Sequence, residues 1–90
     1  MSASADIRLK LRAFIRTNYL GAATSPDFAD DASFLKQGIV DSIGILELAQ
    51  FVQQTFGLKV DPTEILPENF DTVERLDRYV RAKLAEDKKS

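Results

Sequence analysis

The chain has 90 residues, of which 44% are hydrophobic and 29% charged, with a formal net charge of −2. These values are ordinary for one small globular domain and exclude a disordered chain. No apolar run approaches the roughly 20 residues that span a bilayer, so membrane insertion is not expected.

The missing residue types restrict the chemistry. The chain contains no histidine, cysteine or tryptophan. A Ser-His-Asp arrangement therefore cannot form within it, and no metal site is expected because zinc would have only carboxylates as ligands. We expect a protein that is not an independent enzyme. The start, "MSASADIRLKLRAF", lacks a secretory signal, which favours the cytoplasm.

The small net charge hides an asymmetry along the chain. Residues 20–74 contain ten acidic residues against two lysines, a net charge of −8, whereas the two ends together carry +6. A segregated acidic middle suggests a partner with a basic surface and argues against nucleic acid as the ligand of that region.

The first predicted helix covers residues 4–19. Ile7, Leu11, Phe14 and Ile15 recur at helical spacing, and three arginines at positions 8, 12 and 16 fall on the opposite face, where solvation is expected. A long irregular segment follows, from position 21 to 41. Its acidic cluster, which includes Asp30, lacks the ligand spacing of a calcium loop and reads as turn capping.

The second predicted helix covers residues 42–56 and ends at Gly57. Its buried stripe comprises Ile45, Leu48, Ala49, Val52 and Phe56. Ile43 does not belong to this stripe. At 100° per residue it lies near the polar face, so it should contact solvent unless something else covers it.

Two further helices and a tail complete the chain. In "VDPTEILP", Asp61 suits an N-cap, Pro62 the first helical position and Glu64 the capping-box position, which predicts a helix over 62–66. A last helix is predicted over 72–84, with Asp71 as its cap and a frayed tail over 85–90. With no strand pattern, the chain is predicted to be one all-α domain, a small four-helix bundle with a long first loop and a short third helix.

The junction of loop and second helix attracts most interest. Asp41 and Ser42 are both good N-cap residues, and one of them suffices. Either Ser42 is a second cap and nothing more, or it is presented to another enzyme for modification. In the second case Asp41 and Glu47 would offer charge to that enzyme, and Ile43 a small apolar contact.

The stretch "GIVDSIGILELAQFVQQTFGLKV" resembles the attachment-site helix of acyl carrier proteins, whose signature is Asp-Ser-Leu followed at fixed spacing by Glu-Leu. This chain has Asp41-Ser42-Ile43 and, at the matching distance, Glu47-Leu48. The resemblance extends over nearly the whole chain, through the long first loop, Gly38 before the motif, the short third helix and "FDTVERL".

The resemblance implies that Ser42 carries a covalent 4′-phosphopantetheine arm, which a phosphopantetheinyl transferase (holo-carrier synthase) takes from coenzyme A. The arm's thiol would hold an acyl or aminoacyl group as a thioester. Its partners would be an activating ligase and acyltransferases or synthases, which would dock on Asp41, Ile43, Leu46 and Glu47. A pocket for the load is expected among Phe28, Ile45, Leu46, Ile65 and Val80 or their neighbours.

Two departures from the family pattern narrow the subclass. Gln50, Gln53 and Gln54 stand where carriers of primary fatty acid synthesis usually have acids, and Gly44 resembles the D-alanyl carrier protein and some carriers of specialised pathways. Gly44 serves the close approach of a partner or of the arm, or it has no role. We favour a monomeric, dedicated carrier in a lipid, polysaccharide or secondary-metabolite pathway. The alternatives are a D-alanyl-type aminoacyl carrier and an unmodified helical interaction module.

Overall fold

The structure is a computed structural model that describes residues 3–20 and 29–89, with side chains for 5–19 and 29–86. Helix α1 spans Ala3–Ile15 and continues as a π-helical segment, Arg16–Leu20. Helix α2 spans Ser42–Phe56, a 3₁₀ turn spans Pro62–Glu64, α3 spans Pro67–Phe70 and α4 spans Val73–Lys89. The described residues contain no strand, and the all-α, four-helix prediction is confirmed.

The predicted apolar stripes meet in one core. α1 packs against α4, and the short α3 packs against both α4 and α2. The largest fully buried apolar side chains come from all four helices and from the segment before α2: Leu11, Ile15, Phe34, Val40, Leu48, Val52, Phe70, Val73, Leu76 and Val80. Phe34 and Val40 therefore anchor that segment to the core.

The third helix differs from the prediction. Residues 62–66 form only the 3₁₀ turn, in which the Asp61 carboxylate accepts the backbone N–H of Thr63 at 2.9 Å, as expected of a cap. Leu66 is extended because it precedes a proline. Pro67 then starts α3, since its ring presets the helical φ at the first position of a helix. Pro67 therefore prevents a helix from continuing through Leu66 and also begins α3.

The start and end of α4 also differ. The cap is Thr72, whose hydroxyl accepts the backbone N–H of Arg75 at 2.9 Å, and not Asp71. Instead, the Asp71 carboxylate accepts the Leu35 backbone N–H at 3.0 Å and the Ser33 hydroxyl, which ties the long segment to the α3–α4 junction. The prediction of a frayed tail over 85–90 is wrong for residues 85–89. These residues are adequate helix formers and continue α4 to Lys89.

The arginines of α1 do not form the solvated face that was expected. Arg8 donates to Asp77 at 2.8 Å and to Asp30 at 2.7 Å, and Arg12 also binds Asp30 at 2.7 Å. Asp77 is fully buried and also accepts from Arg81 of α4 at 3.1 Å. We call these five residues the ionic cluster. It joins α1, α4 and the segment before α2. The hydrogen bonds that Arg8 donates, above all the one to Asp77, raise the pKa of Arg8.

Candidate functional site

The start of α2 shows which of the two candidate residues caps the helix. Asp41 is extended (φ −92°, ψ −177°), and its carboxylate accepts the backbone N–H of Gly44 at 2.7 Å. Its carbonyl accepts the N–H of Ile45 at 3.0 Å. Asp41 is therefore the N-cap. Ser42 is the first helical residue, exposed, and its hydroxyl is not used to cap the helix.

The segment before α2 holds this start in place. The Phe34 carbonyl accepts the N–H groups of Ile39 at 2.8 Å and of Val40 at 3.3 Å, which closes a tight turn. Gly38 occupies the left-handed region (φ 67°) inside that turn, where a side chain would be strained. Because Phe34 and Val40 are buried, the turn is anchored to the core and holds Asp41 and Ser42 at the surface in a defined orientation.

Gly44 has a role inside the chain. A Cβ at this position would lie 2.5 Å from Cγ1 of Val40 and 3.2 Å from Cε1 of Tyr19. Real Cβ atoms essentially never approach within 3.0 Å, so only glycine fits without a shift. The close approach that the sequence suggested is made by Val40 and Tyr19 of the same chain.

Tyr19 is a residue of this site that sequence reasoning missed. From the π-helical segment after α1, its hydroxyl donates to the Glu47 carboxylate at 3.0 Å and lies 3.4 Å from the Gly44 carbonyl. Burial, with a further contribution from Glu47, raises the pKa of Tyr19 to about 12. Its spacing of four from Ile15 continues the apolar stripe of α1, and this was the signal available in the sequence.

A pocket of about 280 Å³ opens beside Ser42. It is lined by Leu35, Ser42, Ile45, Leu46, Ile65 and Pro67. Three residues expected around a load, Ile45, Leu46 and Ile65, are among them. Val80 is not, because it is fully buried, and Phe28 lies outside the described residues. The sequence did not single out Leu35 and Pro67, whose approach to α2 depends on the path of the segments that carry them.

Large apolar side chains are exposed around the same serine. Ile43 is 70% exposed and Leu46 is 55% exposed, both on α2. Leu35 and Leu66, from the segments on either side of the pocket, are also exposed. We call these four residues the apolar patch. The prediction that Ile43 lies outside the buried stripe of α2 is confirmed.

Many acidic side chains of the middle region have partners within the chain. Each of seven accepts a hydrogen bond or forms an ion pair there: Asp30, Asp41, Glu47, Asp61, Glu64, Asp71 and Glu74. Only Asp30, Glu64 and Glu74 pair with a basic side chain. The other four accept from neutral N–H or O–H groups, so the middle region keeps much of its negative charge.

Within the part of the chain that the structure describes, no group of three or more potential ligands is arranged to hold a metal ion. Asp30, one of the predicted turn-capping acids, forms ion pairs with Arg8 and Arg12, while Asp27 lies outside the described residues. Within the same ranges, no helix is both long and apolar enough to cross a bilayer.

Comparisons with known proteins identify the family of the chain. A family model described as "Phosphopantetheine attachment site" matches residues 18–80, a range that includes Tyr19, all of α2 and the first part of α4. The D-alanyl carrier protein of Abiotrophia defectiva is 33% identical over 55 residues, which cover 61% of this chain and 70% of that protein. Both the α2 start and the residues that shape it lie within the family match. The chain belongs to the phosphopantetheine carrier proteins, a family that holds 4′-phosphopantetheine covalently and interacts with phosphopantetheinyl transferases and with ligases or synthases.

Proposed function

We propose that the Ser42 hydroxyl oxygen is the attachment atom of the 4′-phosphopantetheine arm. The observation that carries this proposal is that Asp41 caps α2 through its carboxylate, which leaves the exposed hydroxyl of Ser42 available. Ser33, the other serine with a described side chain, donates its hydroxyl to Asp71 and is committed to the fold.

The surroundings of Ser42 suit a phosphate ester. Attachment joins the serine oxygen to the pantetheine-side phosphorus of the coenzyme A pyrophosphate, and the pyrophosphate P–O bond breaks to release adenosine 3′,5′-bisphosphate. The serine proton passes to a base of the transferase. The phosphodiester would lie at the N-terminal end of a 15-residue helix, where the helix dipole and unpaired N–H groups favour negative charge. When bound, the arm supplies the thiol that this cysteine-free chain lacks, and the load is held on it as a thioester.

The load is an acyl or aminoacyl group, and we favour a small one. The pocket beside Ser42 is a surface pocket whose lining does not include the fully buried Phe34, Phe70 or Val80. A long acyl chain would have to displace these core side chains, whereas an aminoacyl or short acyl group would not. The similarity to a D-alanyl carrier protein supports an aminoacyl load. The pathway would be a dedicated one, making a lipid, a polysaccharide or a secondary metabolite.

The protein would act in the cytoplasm as a carrier without catalytic groups of its own. Activation of the load would fall to a ligase, and its transfer to acyltransferases or synthases, which approach Ser42 across Asp41, Ile43, Leu46 and Glu47. The exposure of Ile43 and Leu46 supports this docking region.

The test is the intact mass of the protein after incubation with coenzyme A and a phosphopantetheinyl transferase. We expect the wild type to gain the mass of one phosphopantetheine group and Ser42→Ala to gain nothing. Ser33→Ala is the matched control: it also removes one hydroxyl and should still be modified, with folding checked by circular dichroism. An unmodified wild type, or a mass gain in Ser42→Ala, would overturn the proposal.

The second candidate is a helical interaction module that never uses the serine, which the apolar patch alone would also suit. It predicts no mass gain and partner binding that is unchanged in Ser42→Ala. The same experiment, with a binding measurement added, separates the two.

A further inference from the structure

Tyr19 lies at the end of α1, and its ring is held by other aromatic rings. It belongs to the π-helical segment Arg16–Leu20, and π-helical stretches are rare and frequently found at functional sites. The ring of Tyr19 meets that of Phe14 edge-on, with 6.0 Å between centroids, and Phe14 stacks on Phe51 of α2 at 4.1 Å. These contacts restrict the Tyr19 side chain, so its hydroxyl is held at a defined place beside α2.

The Tyr19 side chain contacts two successive turns of α2. Its hydroxyl donates to the Glu47 carboxylate at 3.0 Å, and the Gly44 carbonyl lies 3.4 Å away as a second, longer acceptor. The ring itself comes so close to Gly44 that a Cβ there would lie 3.2 Å from Cε1 of Tyr19. Tyr19 therefore touches the residue two positions after Ser42 and also ties it to the next turn of the helix.

Gly44 makes the first turn of α2 easy to deform. Glycine has more backbone freedom than any other residue and is less favourable than alanine inside a helix. The close approach of Val40 nevertheless requires a glycine at this position. The Asp41 carboxylate holds the Gly44 N–H at 2.7 Å, and from outside α2 Tyr19 lies against the Gly44 carbonyl. The contact from Tyr19 therefore restricts the one residue of the turn that has the most freedom.

The geometry of this turn matters for the chemistry proposed at Ser42. The N–H groups of Ser42 and Ile43 belong to the first residues of α2 and have no acceptor within the helix. Such groups are suited to hold a phosphate at a helix N-terminus. Their directions, and that of the Ser42 side chain, follow the backbone of the first turn. A turn that opens would therefore misdirect both the reacting oxygen and the donors beside it.

We infer that Tyr19 is a positioning residue for the transfer of phosphopantetheine to Ser42. This inference rests on the proposed attachment at Ser42. Tyr19 acts through Gly44, because it holds the first turn of α2 in the geometry that directs the Ser42 oxygen at the phosphorus. Displacing a reacting group by about 1 Å can slow a reaction about 100-fold, so a looser turn should slow the chemical step itself.

The experiment measures single-turnover modification of the full chain, with the phosphopantetheinyl transferase of the same cell in excess and coenzyme A saturating. The maximal rate constant reports the chemical step, and the transferase concentration at half-maximal rate reports binding of the two proteins. Tyr19→Phe keeps the ring contacts and removes only the hydroxyl. Its maximal rate constant should fall about fivefold, whereas the half-maximal concentration should change by less than about twofold.

Tyr79→Phe is the matched control. The Tyr79 hydroxyl donates to the Glu64 carboxylate at 2.9 Å, and its ring packs against Phe70 with 5.2 Å between centroids. The substitution therefore removes the same kind of hydrogen bond, from a tyrosine that does not line the pocket beside Ser42. Both variants should show a similar shift of the urea midpoint, but Tyr79→Phe should be modified with the maximal rate constant of the wild type.

Amide hydrogen exchange, followed by NMR, measures the looseness of the turn without any modification. In Tyr19→Phe the amides of Gly44 and Ile45 should exchange at least about threefold faster than in Tyr79→Phe, each relative to the Val52 amide of the same variant. The inference is overturned if these amides exchange equally in the two variants, or if the two variants share one maximal rate constant. It is also overturned if the loss in Tyr19→Phe lies wholly in the half-maximal concentration. A wild type that is not modified at all would instead refute the proposed function, so the two failures are distinguishable.

Discussion

Charged side chains are normally exposed and large apolar ones buried. The ionic cluster and the apolar patch are exceptions to this rule, one of each kind. In the cluster a carboxylate, Asp77, is fully buried, and in the patch an isoleucine, Ile43, is 70% exposed. The buried charge is matched inside the chain by Arg8 and Arg81, whereas the described structure offers no such cover for the exposed isoleucine. A buried charge that is paired inside the chain indicates a role in the fold. An exposed apolar side chain beside Ser42 indicates contact with another protein.

The largest effect should come from the ionic cluster. Arg8→Met keeps the apolar stem but removes the guanidinium from the buried Asp77, and we expect a loss of about 3 kcal/mol in the free energy of unfolding. Urea denaturation measures it. Arg78→Met is the control, because Arg78 forms an exposed ion pair with Glu74 at 3.5 Å and should lose less than about 1 kcal/mol.

Equal losses in the two arginine variants would show that burial of Asp77 does not distinguish the cluster from an ordinary surface pair. The comparison also requires that Arg8→Met, studied below its unfolding transition, is still modified at the wild-type rate, since the cluster does not border Ser42.

A smaller loss is expected at the turn that carries Ser42. Gly44→Ala would add a Cβ 2.5 Å from Cγ1 of Val40. Alanine normally stabilises a helix by about 1 kcal/mol relative to glycine, but here overpacking should reverse the sign and give a net loss of about 1–2 kcal/mol. The unfolding free energies of Gly44→Ala, Val40→Ala and the double variant form a cycle.

Because Val40→Ala removes the atom that would clash, Gly44→Ala should cost less in that background. Purely additive effects, or a stabilising Gly44→Ala, would mean that the close approach of Val40 does not explain the glycine.

The smallest effect is expected for a half-exposed ion pair, whose burial is intermediate between that of the ionic cluster and that of the apolar patch. Glu64 accepts from Lys83 at 3.0 Å and from Tyr79 at 2.9 Å, and these contacts, Lys83 first, lower the pKa of Glu64. A lowered carboxyl pKa contributes stability above the ordinary value of about 4.3, and that stability is lost as the pH falls through the folded-state value. Glu64→Gln should therefore be less stable than the wild type near neutral pH.

The difference between wild type and Glu64→Gln should shrink as the pH is lowered from about 7 towards about 3, measured by urea denaturation at each pH. A difference that stays constant over this range would mean that the charge of Glu64 does not contribute to stability.

Local periodicity was enough to predict most of the helical content and the part of the site that α2 contributes. The stripe of α2 identified Ile45, Leu48, Ala49 and Val52 as buried, and the same arithmetic left Ile43 outside it. Capping preferences predicted that the N-cap of α2 is either Asp41 or Ser42, but they could not distinguish between the two. The choice depends on which side chain reaches the Gly44 N–H, which is a matter of backbone conformation.

Long-range contacts account for what the sequence did not predict. Arg8 and Asp77 are 69 positions apart, and no local pattern pairs a residue of α1 with one of α4. Likewise, nothing near Gly44 indicates that Tyr19 and Val40 will fill the space beside it. Asp71 was read as a cap from its neighbours in sequence, but a nearby threonine took that role and Asp71 bound a distant segment.

The most direct test of the account is to find which residue carries the arm in protein isolated from its native cell. Trypsin should release the peptide of residues 37–59, in which Ser42 is the single serine. Fragmentation of this peptide by tandem mass spectrometry should place the phosphopantetheine, with any load still on its thiol, on Ser42. The same peptide found only unmodified, or the arm found on another residue, would contradict the account.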